Sequence, residues 1–369
     1  MVLPILGLGI VSFFIAWVMT FAMIRIAPRI GFVDRPGHRK IHHNPKPLGG
    51  GVAIFLGIAL PMLIGIAVIG LVQPMAAERD ALIAGARQQT PIALAFLAAM
   101  LGLHVMGLID DRRALGPFIK LAVQLLAAAA LVLPFPQMRV LTALGPPVSI
   151  VLTILWITAI TNAFNFLDNM DGLSAGVAAV CATALLVTTL YIEQWFVAAT
   201  LALLLGSLLG FLWFNFPPAK IFMGDSGSLL IGFVLGVLTV RTTYLRPDEQ
   251  FAAGWYAVFA PVIVLALPLY DLIVVSLIRV RRGKSPFVGD TNHFSHRLVA
   301  RGMSRRTAVL CIYLVTAATA VAAIVLPLVQ STLGAMLLFG QTVLILCMVA
   351  LLEQHPLPRD EMEPRMHTD

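Results

Sequence analysis

The stretch Val148–Gly176, "VSIVLTILWITAITNAFNFLDNMDGLSAG", decides the fold. Its first half is a continuous apolar run with the look of a membrane span. Its second half carries Asn162, Asn165, Asp168, Asn169 and Asp171, all costly to place in hydrocarbon, with no basic residue among them. On a helix Asn162, Asn165 and Asn169 share one face, and Asp171 points to the opposite side. The Asp171-Gly172 pair therefore marks a break that lets Asp168 and Asp171 turn toward one cavity. Amide oxygens with carboxylates suit a hard divalent cation or the hydrogen-bonding edge of a base. The plainer alternative, Asp171 as the N-cap of the next helix, leaves Asn162, Asn165 and Asp168 unexplained.

The same apolar character recurs along the whole chain. Its 369 residues are 59% hydrophobic and 12% charged, with a mean hydropathy of +0.93. That composition excludes a water-soluble globule, and runs that are continuous rather than alternating exclude a closed β-barrel. Eleven runs stand out: 3–27, 48–73, 91–109, 118–136, 147–166, 172–192, 196–216, 228–244, 254–279, 306–328 and 332–352. The expected fold is all-α, a polytopic bundle of about eleven transmembrane helices over residues 1–352, with a short polar tail at 353–369. The first charge is Arg25, so the first run has no basic n-region and is expected to remain as a span. Cys181, Cys311 and Cys347 all lie inside runs, as packed core residues rather than ligands or disulfide partners.

Connections between runs alternate sides. One set (28–47, 110–117, 167–171, 217–227, 280–305 and the tail) holds most of the Lys and Arg; the other holds Arg79, Arg87, Arg139, Arg241 and Arg246. The positive-inside bias puts the richer set in the cytoplasm, with the N-terminus outside and the C-terminus inside. Asp34, Asp110, Asp111, Asp168, Asp171, Asp225 and Asp290 fall on that same side, as do His38, His42, His43, His293 and His296. Acidic and imidazole groups do not obey the positive-inside rule. Their gathering points to one cytoplasm-facing site assembled from several loops.

Each loop has a sharp and a plain reading. In "GLIDDRRALGPFIKLAVQ", Pro117 sits near the first position of a helix and Lys120 in its first turn, where the macrodipole disfavours a cation. Lys120 either faces an anion such as phosphate or pairs with Asp111. Adjacent Asp110 and Asp111 diverge by about 100° and need different partners. In "KIFMGDSGSLLIGF", Asp225 between glycines is either a helix cap or, with Phe222 as a stacking surface, part of a nucleotide and metal site. In "GDTNHFSHRLVARGMSRR", His293, His296 and Arg297 share a helical face and suit a pyrophosphate, with a lipid-headgroup patch as the alternative and zinc disfavoured for want of a third ligand. "GFVDRPGHRKIHHNPKPLGGGVA" adds Arg39, Lys40, His42 and Lys46 and suggests phosphate again. No Walker loop, HExxH or Rossmann fingerprint accompanies these.

Taken in order, "DRPGHRKIHHNPKPLGG", "DDRRALGPFIKLAVQ", "TNAFNFLDNMDGLSAG", "FMGDSGS" and "HFSHRL" resemble the polyprenyl-phosphate N-acetylhexosamine-1-phosphate transferases, over about Gly31 to Arg306. The resemblance implies transfer of a sugar 1-phosphate from a UDP-N-acetylhexosamine to undecaprenyl phosphate on the cytoplasmic face of the inner membrane, releasing UMP. It implies Mg²⁺, replaceable by Mn²⁺, among membrane lipids; it allows a homodimer and gives nucleic acid no part. Carried over residue by residue, it makes Asp225 a Mg²⁺ ligand with Asn165 beside it. Asp171 meets the uracil, Phe222 lines the uridine pocket, and Asn162, Asp168, Arg39 and His42 join the substrate site. Lys120 binds pyrophosphate, Asp110 and Asp111 serve the lipid phosphate or the metal, and His293, His296 and Arg297 hold pyrophosphate and sugar. The branch using UDP-MurNAc-pentapeptide has three consecutive histidines in this loop and ten spans. "HFSHRL" is nearer to the UDP-GlcNAc branch, whose pattern is HxHHR, although Phe294 and Ser295 depart from it. A secondary transporter is the alternative of a different class. It would place its polar groups near the bilayer midplane and show internal repeats.

Overall fold

The computed structural model describes residues 1–34, 45–71, 77–242, 259–285, 293–329 and 331–354. Within them, ten of the eleven apolar runs each hold one helix and the ninth, 254–279, holds two. In order these are α1 (Val2–Arg29), α2 (Gly50–Leu71), α3 (Ala77–Arg112), α4 (Pro117–Val132), α5 (Pro146–Leu167), α6 (Leu173–Tyr191), α7 (Trp195–Asn215) and α8 (Asp225–Arg241). There follow α9 (Ala260–Val264), α10 (Ala266–Arg281), α11 (Phe294–Ala300), α12 (Arg305–Val325) and α13 (Thr332–Gln354). Eight of these helices are long and apolar enough to cross a membrane, so the chain is a multi-pass membrane protein. α4, α8 and α10 are shorter, at 16, 17 and 16 residues.

Three details depart from the expected runs. α3 extends far upstream of residue 91, because the polar segment before it is rich in Ala, Glu, Arg and Gln, all good helix formers. The run 254–279 is split at Leu265 into α9 and α10, with Pro268 just beyond. A two-residue antiparallel ribbon, β1 (Val33–Asp34) with β2 (Lys46–Pro47), closes the base of the first basic loop. Of the cysteines, Cys181 is buried as expected, but Cys347 is exposed on α13, whose outer face is apolar and exposed among the described residues.

The core explains why the short helices matter. Every residue of α8 from Ser226 to Val240 is buried, the mark of a helix apolar on all sides and surrounded by others. α8 packs against α2, α3, α5, α6 and α7. Lipid tails are as apolar as Leu, so close backbone approach rather than hydrophobic exclusion drives such packing. A Cβ at Gly51 would lie 2.5 Å from the Gly227 nitrogen, and one at Gly232 would lie 2.6 Å from Thr161 Cα. The outer helices are different. Most of α1 and α13 faces outward with large apolar side chains, including Phe14, Phe21, Leu337 and Leu344.

Candidate active site

The N-terminus of α8 is where the polar groups meet. Asp110 and Asp111 end α3, Lys120 lies in the first turn of α4 behind Pro117, and Asn165 lies in the last turn of α5. The Lys120 ammonium bridges two carboxylates, 2.8 Å from Asp225 Oδ2 and 3.1 Å from Asp110 Oδ2. Its partners are therefore not Asp111, as the plain reading of that loop expected. Asn165 Nδ2 donates to Asp225 Oδ1 at 3.0 Å and to Ser228 Oγ at 2.9 Å. Asp110 Oδ1 accepts from the Leu115 N–H at 2.6 Å, which fixes the turn into α4.

Asp225 is not the cap of its own helix. That task falls to Asp111, whose carboxylate accepts from the Asp225 N–H at 2.7 Å and the Ser226 N–H at 3.3 Å. A carboxylate on the first N–H groups of a helix satisfies orphan donors and matches the macrodipole. Gly224 has a φ of +74° and lies so close to the Asp111 carboxylate that a Cβ would collide with it. Adjacent aspartates thus do take different partners, one on Lys120 and one on helix α8.

The opening stretch breaks where its pattern indicated. α5 ends at Leu167, and Gly172, at φ +74°, is the residue before α6. Asp171 caps neither helix. Its Oδ2 accepts from the Ala219 N–H at 2.9 Å, while Lys46 Nζ donates to the Ala219 carbonyl at 2.7 Å, so the loop before α8 is gripped from two sides. Because α5 stops at Leu167, Asn169 does not share its face: it donates to the Phe166 carbonyl and accepts from Ser295 Oγ at 2.6 Å. Asn162 exchanges hydrogen bonds with Gln124 of α4, its Nδ2 donating at 2.6 Å. Asp168 directly follows the end of α5. Burial first, and then the carboxylates of Asp225, Asp111 and Asp171, push its pKa well above the usual carboxylate range.

The basic loop forms a second cluster, tied to carboxylates that the loop sequences did not reveal. His293 precedes α11 and is not on its helical face; its ring lies 6.4 Å from that of His296. Asp271, fully buried in α10, accepts from His293 Nδ1 at 2.9 Å and from the Phe294 N–H at 2.9 Å. Arg279 Nη2 is 3.4 Å from His293 Nε2, and its guanidinium lies 4.7 Å from the Phe166 ring centroid. Arg297 pairs with Glu353 of α13 at 2.7 Å, and the Tyr270 hydroxyl donates to the same oxygen at 3.3 Å. The two residues that interrupt the histidines are both used, Phe294 through its N–H and Ser295 through its hydroxyl.

Phe222 stands at the rim, half-buried, its backbone laddered to the start of α2: its N–H reaches the Pro47 carbonyl and its carbonyl accepts from Gly50. Arg39 and His42 lie outside the described residues. Among the described residues no three His, Cys, Asp or Glu side chains converge as a closed metal site. Mg²⁺ demands less, since it uses one or two carboxylates and fills its octahedron with water and substrate phosphates. Asp225 and Asp110, already spanned by one ammonium, are the carboxylates that would hold it; Asn165, expected beside the metal, turns its amide nitrogen to Asp225.

Residues 93–243, which hold Asp110, Asp111, Lys120, Asn165 and Asp225, match the family described as Glycosyl transferase family 4. The chain is 31% identical over 363 residues to a probable undecaprenyl-phosphate N-acetylglucosaminyl 1-phosphate transferase of Bacillus subtilis, covering 96% of this chain and 93% of that protein. It is 36% identical over 335 residues to the decaprenyl-phosphate N-acetylglucosaminephosphotransferase of Mycobacterium tuberculosis, covering 83% and 78%. With an undecaprenyl-phosphate alpha-N-acetylglucosaminyl 1-phosphate transferase of Escherichia coli it shares 28% over 309 residues, covering 79% and 76%. Motif order, the meeting of those motifs around α8 and full-length similarity agree: the chain belongs to glycosyl transferase family 4, the polyprenyl-phosphate N-acetylhexosamine-1-phosphate transferases.

Proposed function

We propose that this protein transfers N-acetylglucosamine 1-phosphate from UDP-N-acetylglucosamine to undecaprenyl phosphate, releasing UMP and starting a cell-envelope glycan. One observation carries the reading: a single ammonium, Lys120, is held between Asp110 and Asp225 where three helices end. The names of the relatives support GlcNAc over MurNAc-pentapeptide as the sugar, and a transferase over a transporter.

In the reaction a phosphate oxygen of the lipid forms a bond to the sugar-bearing phosphorus, and the bond from that phosphorus to the bridging oxygen breaks. The electron pair leaves with UMP. Both substrates are anionic, so the chain must offset repulsion. Mg²⁺ held by Asp225 and Asp110 would supply charge neutralisation at the leaving phosphate. Lys120 is placed to turn its ammonium from the two carboxylates toward the pyrophosphate. Asn165 keeps the Asp225 carboxylate oriented, and Asp111 anchors the backbone that carries it. Asp171, bonded to the loop before α8, and Phe222, within that loop, suit the uracil edge and ring. His296 and Arg297, on α11, suit the pyrophosphate and sugar.

The site faces the cytoplasm of the inner membrane in this reading, with the N-terminus outside and eleven crossings. Three of those crossings are made by the short helices α4, α8 and α10. The distribution of Lys and Arg supports that orientation. A cysteine placed at Ser285 should resist a membrane-impermeant thiol reagent in intact cells, and labelling from outside would reverse the assignment. The deciding experiment is UMP release by the detergent-solubilised protein with undecaprenyl phosphate and a panel of UDP-sugars. UDP-GlcNAc should be turned over and UDP-MurNAc-pentapeptide should not; release from neither sinks the proposal.

A further inference from the structure

We propose that Asp271, a carboxylate buried in the middle of an apolar helix, is a positioning residue for the transfer reaction, acting through His293 and Arg279. The inference rests on the transferase reading and adds a residue to it. Asp271 is 0% exposed, Arg279 2% and His293 5%. Charges so deep in a membrane bundle are costly unless paired, and they usually mark function.

The contacts fix how the imidazole is used. Arg279 carries only donors, so the His293 Nε2 beside it at 3.4 Å must accept. Nδ1 then carries the proton and donates to Asp271 Oδ2 at 2.9 Å. The other carboxylate oxygen takes the Phe294 N–H at 2.9 Å and so sets where α11 begins. The line of contacts continues: the Arg279 guanidinium lies over Phe166, and the His293 ring meets the same ring edge-on at 5.7 Å. Phe166 follows Asn165, which donates to Asp225. Ser295 adds a parallel tie to Asn169, four residues beyond Asn165. Asp271 thereby holds the basic loop in register with the last turn of α5, and hence with the acidic centre. With both its ring nitrogens engaged inside the protein, His293 serves as the hinge pin of the loop.

The test is a cycle on the full-length protein, reading UMP release and thermal unfolding together. In Asp271→Asn the new amide can still accept from the Phe294 N–H, but its NH₂ faces His293 Nδ1. The imidazole must then carry its proton on Nε2, against the donors of Arg279. We expect kcat/KM for UDP-GlcNAc to fall roughly 10- to 100-fold, the usual cost of losing a group that orients another. Arg279→Gln supplies an oxygen that can accept from Nε2–H and also removes the uncompensated buried charge. Asp271→Asn/Arg279→Gln should therefore recover activity above Asp271→Asn alone, a non-additive result expected of residues in one network. The double variant also keeps the test open if Asp271→Asn does not fold. Wild-type activity in folded Asp271→Asn, or a double variant as poor as the product of the two singles, overturns the inference. A wild-type protein that releases no UMP would instead overturn the transferase reading.

Discussion

The two halves of the candidate site are charged in opposite ways and balanced in opposite ways. Around α8 the Lys120 ammonium lies between Asp110 and Asp225, Asp111 caps the helix, and burial, then the carboxylates of Asp225, Asp111 and Asp171, drive up the pKa of Asp168. In the basic half the donors lean on buried acids: Asp271 accepts from His293, beside Arg279, and Glu353 pairs with Arg297. In the proposed reaction the first half is the one that would take a cation. The second ties its donors to acids on neighbouring helices, α10 and α13. A transferase joining two phosphates can use both, one region to accept a metal and one to hold donors still.

The largest expected effect tests the unbalanced half. Asp225→Asn keeps an oxygen for Asn165 and leaves the Asp111 cap of α8 untouched, because Asp225 contributes only its N–H to that cap. It removes the charge that offsets Lys120 and would face Mg²⁺. Turnover should drop by roughly three orders of magnitude, at or above the cost of losing one preorganised electrostatic group. The melting temperature should stay near that of the wild type, and EDTA should abolish wild-type turnover in the same assay. Full activity in EDTA or in the variant would erase the contrast between the two halves.

A middle-sized effect is expected at Lys120. Lys120→Met keeps the stem and removes the charge, leaving Asp110 and Asp225 facing each other without a cation. A charge-assisted bond to pyrophosphate is worth roughly 1.5–3 kcal/mol, or about 10- to 100-fold in turnover. The variant should melt lower in EDTA and regain stability on adding Mg²⁺, since a ligand that binds the folded state stabilises it. A variant that retains most activity and gains no more from Mg²⁺ than the wild type would make Lys120 a structural tie alone.

Much of the acidic half was legible because its carboxylates stand at span ends, where hydropathy falls and each charge is visible against the run before it. Asp110, Asp225, Lys120 and the break at Asp171-Gly172 could be named from that pattern. Their pairing could not, because adjacent Asp110 and Asp111 differ only by rotation about a helix, and which one meets Lys120 depends on how α3 sits against α8. The basic half was legible only on its loop side. Asp271 and Glu353 are single acids at or within the apolar runs 254–279 and 332–352, and hydropathy averaging hides them. A charge inside a span was the available signal. Gln124 gave less still, being an uncharged amide in a run of Ala and Leu.

That amide supplies the smallest and sharpest test, because Asn162 belongs to the acidic half by sequence and to the scaffold by contact. Its carboxamide and that of Gln124, which is 2% exposed, pair across α4 and α5 one turn below Asn165. If Asn162 serves only this pair, Asn162→Leu strands a buried amide at a cost of about 1–3 kcal/mol. Asn162→Leu/Gln124→Leu removes both partners and should recover most of that loss, since exchanging a satisfied pair for apolar groups of similar shape is nearly neutral. KM for UDP-GlcNAc should be the same in the double variant as in the wild type. A substrate role predicts the reverse pattern: KM rises in Asn162→Leu and stays high in the double variant, however well the helix packing recovers. Melting temperature and KM thus separate the two roles in one pair of proteins, and place the inner edge of the acidic half at Asn165 or one turn deeper.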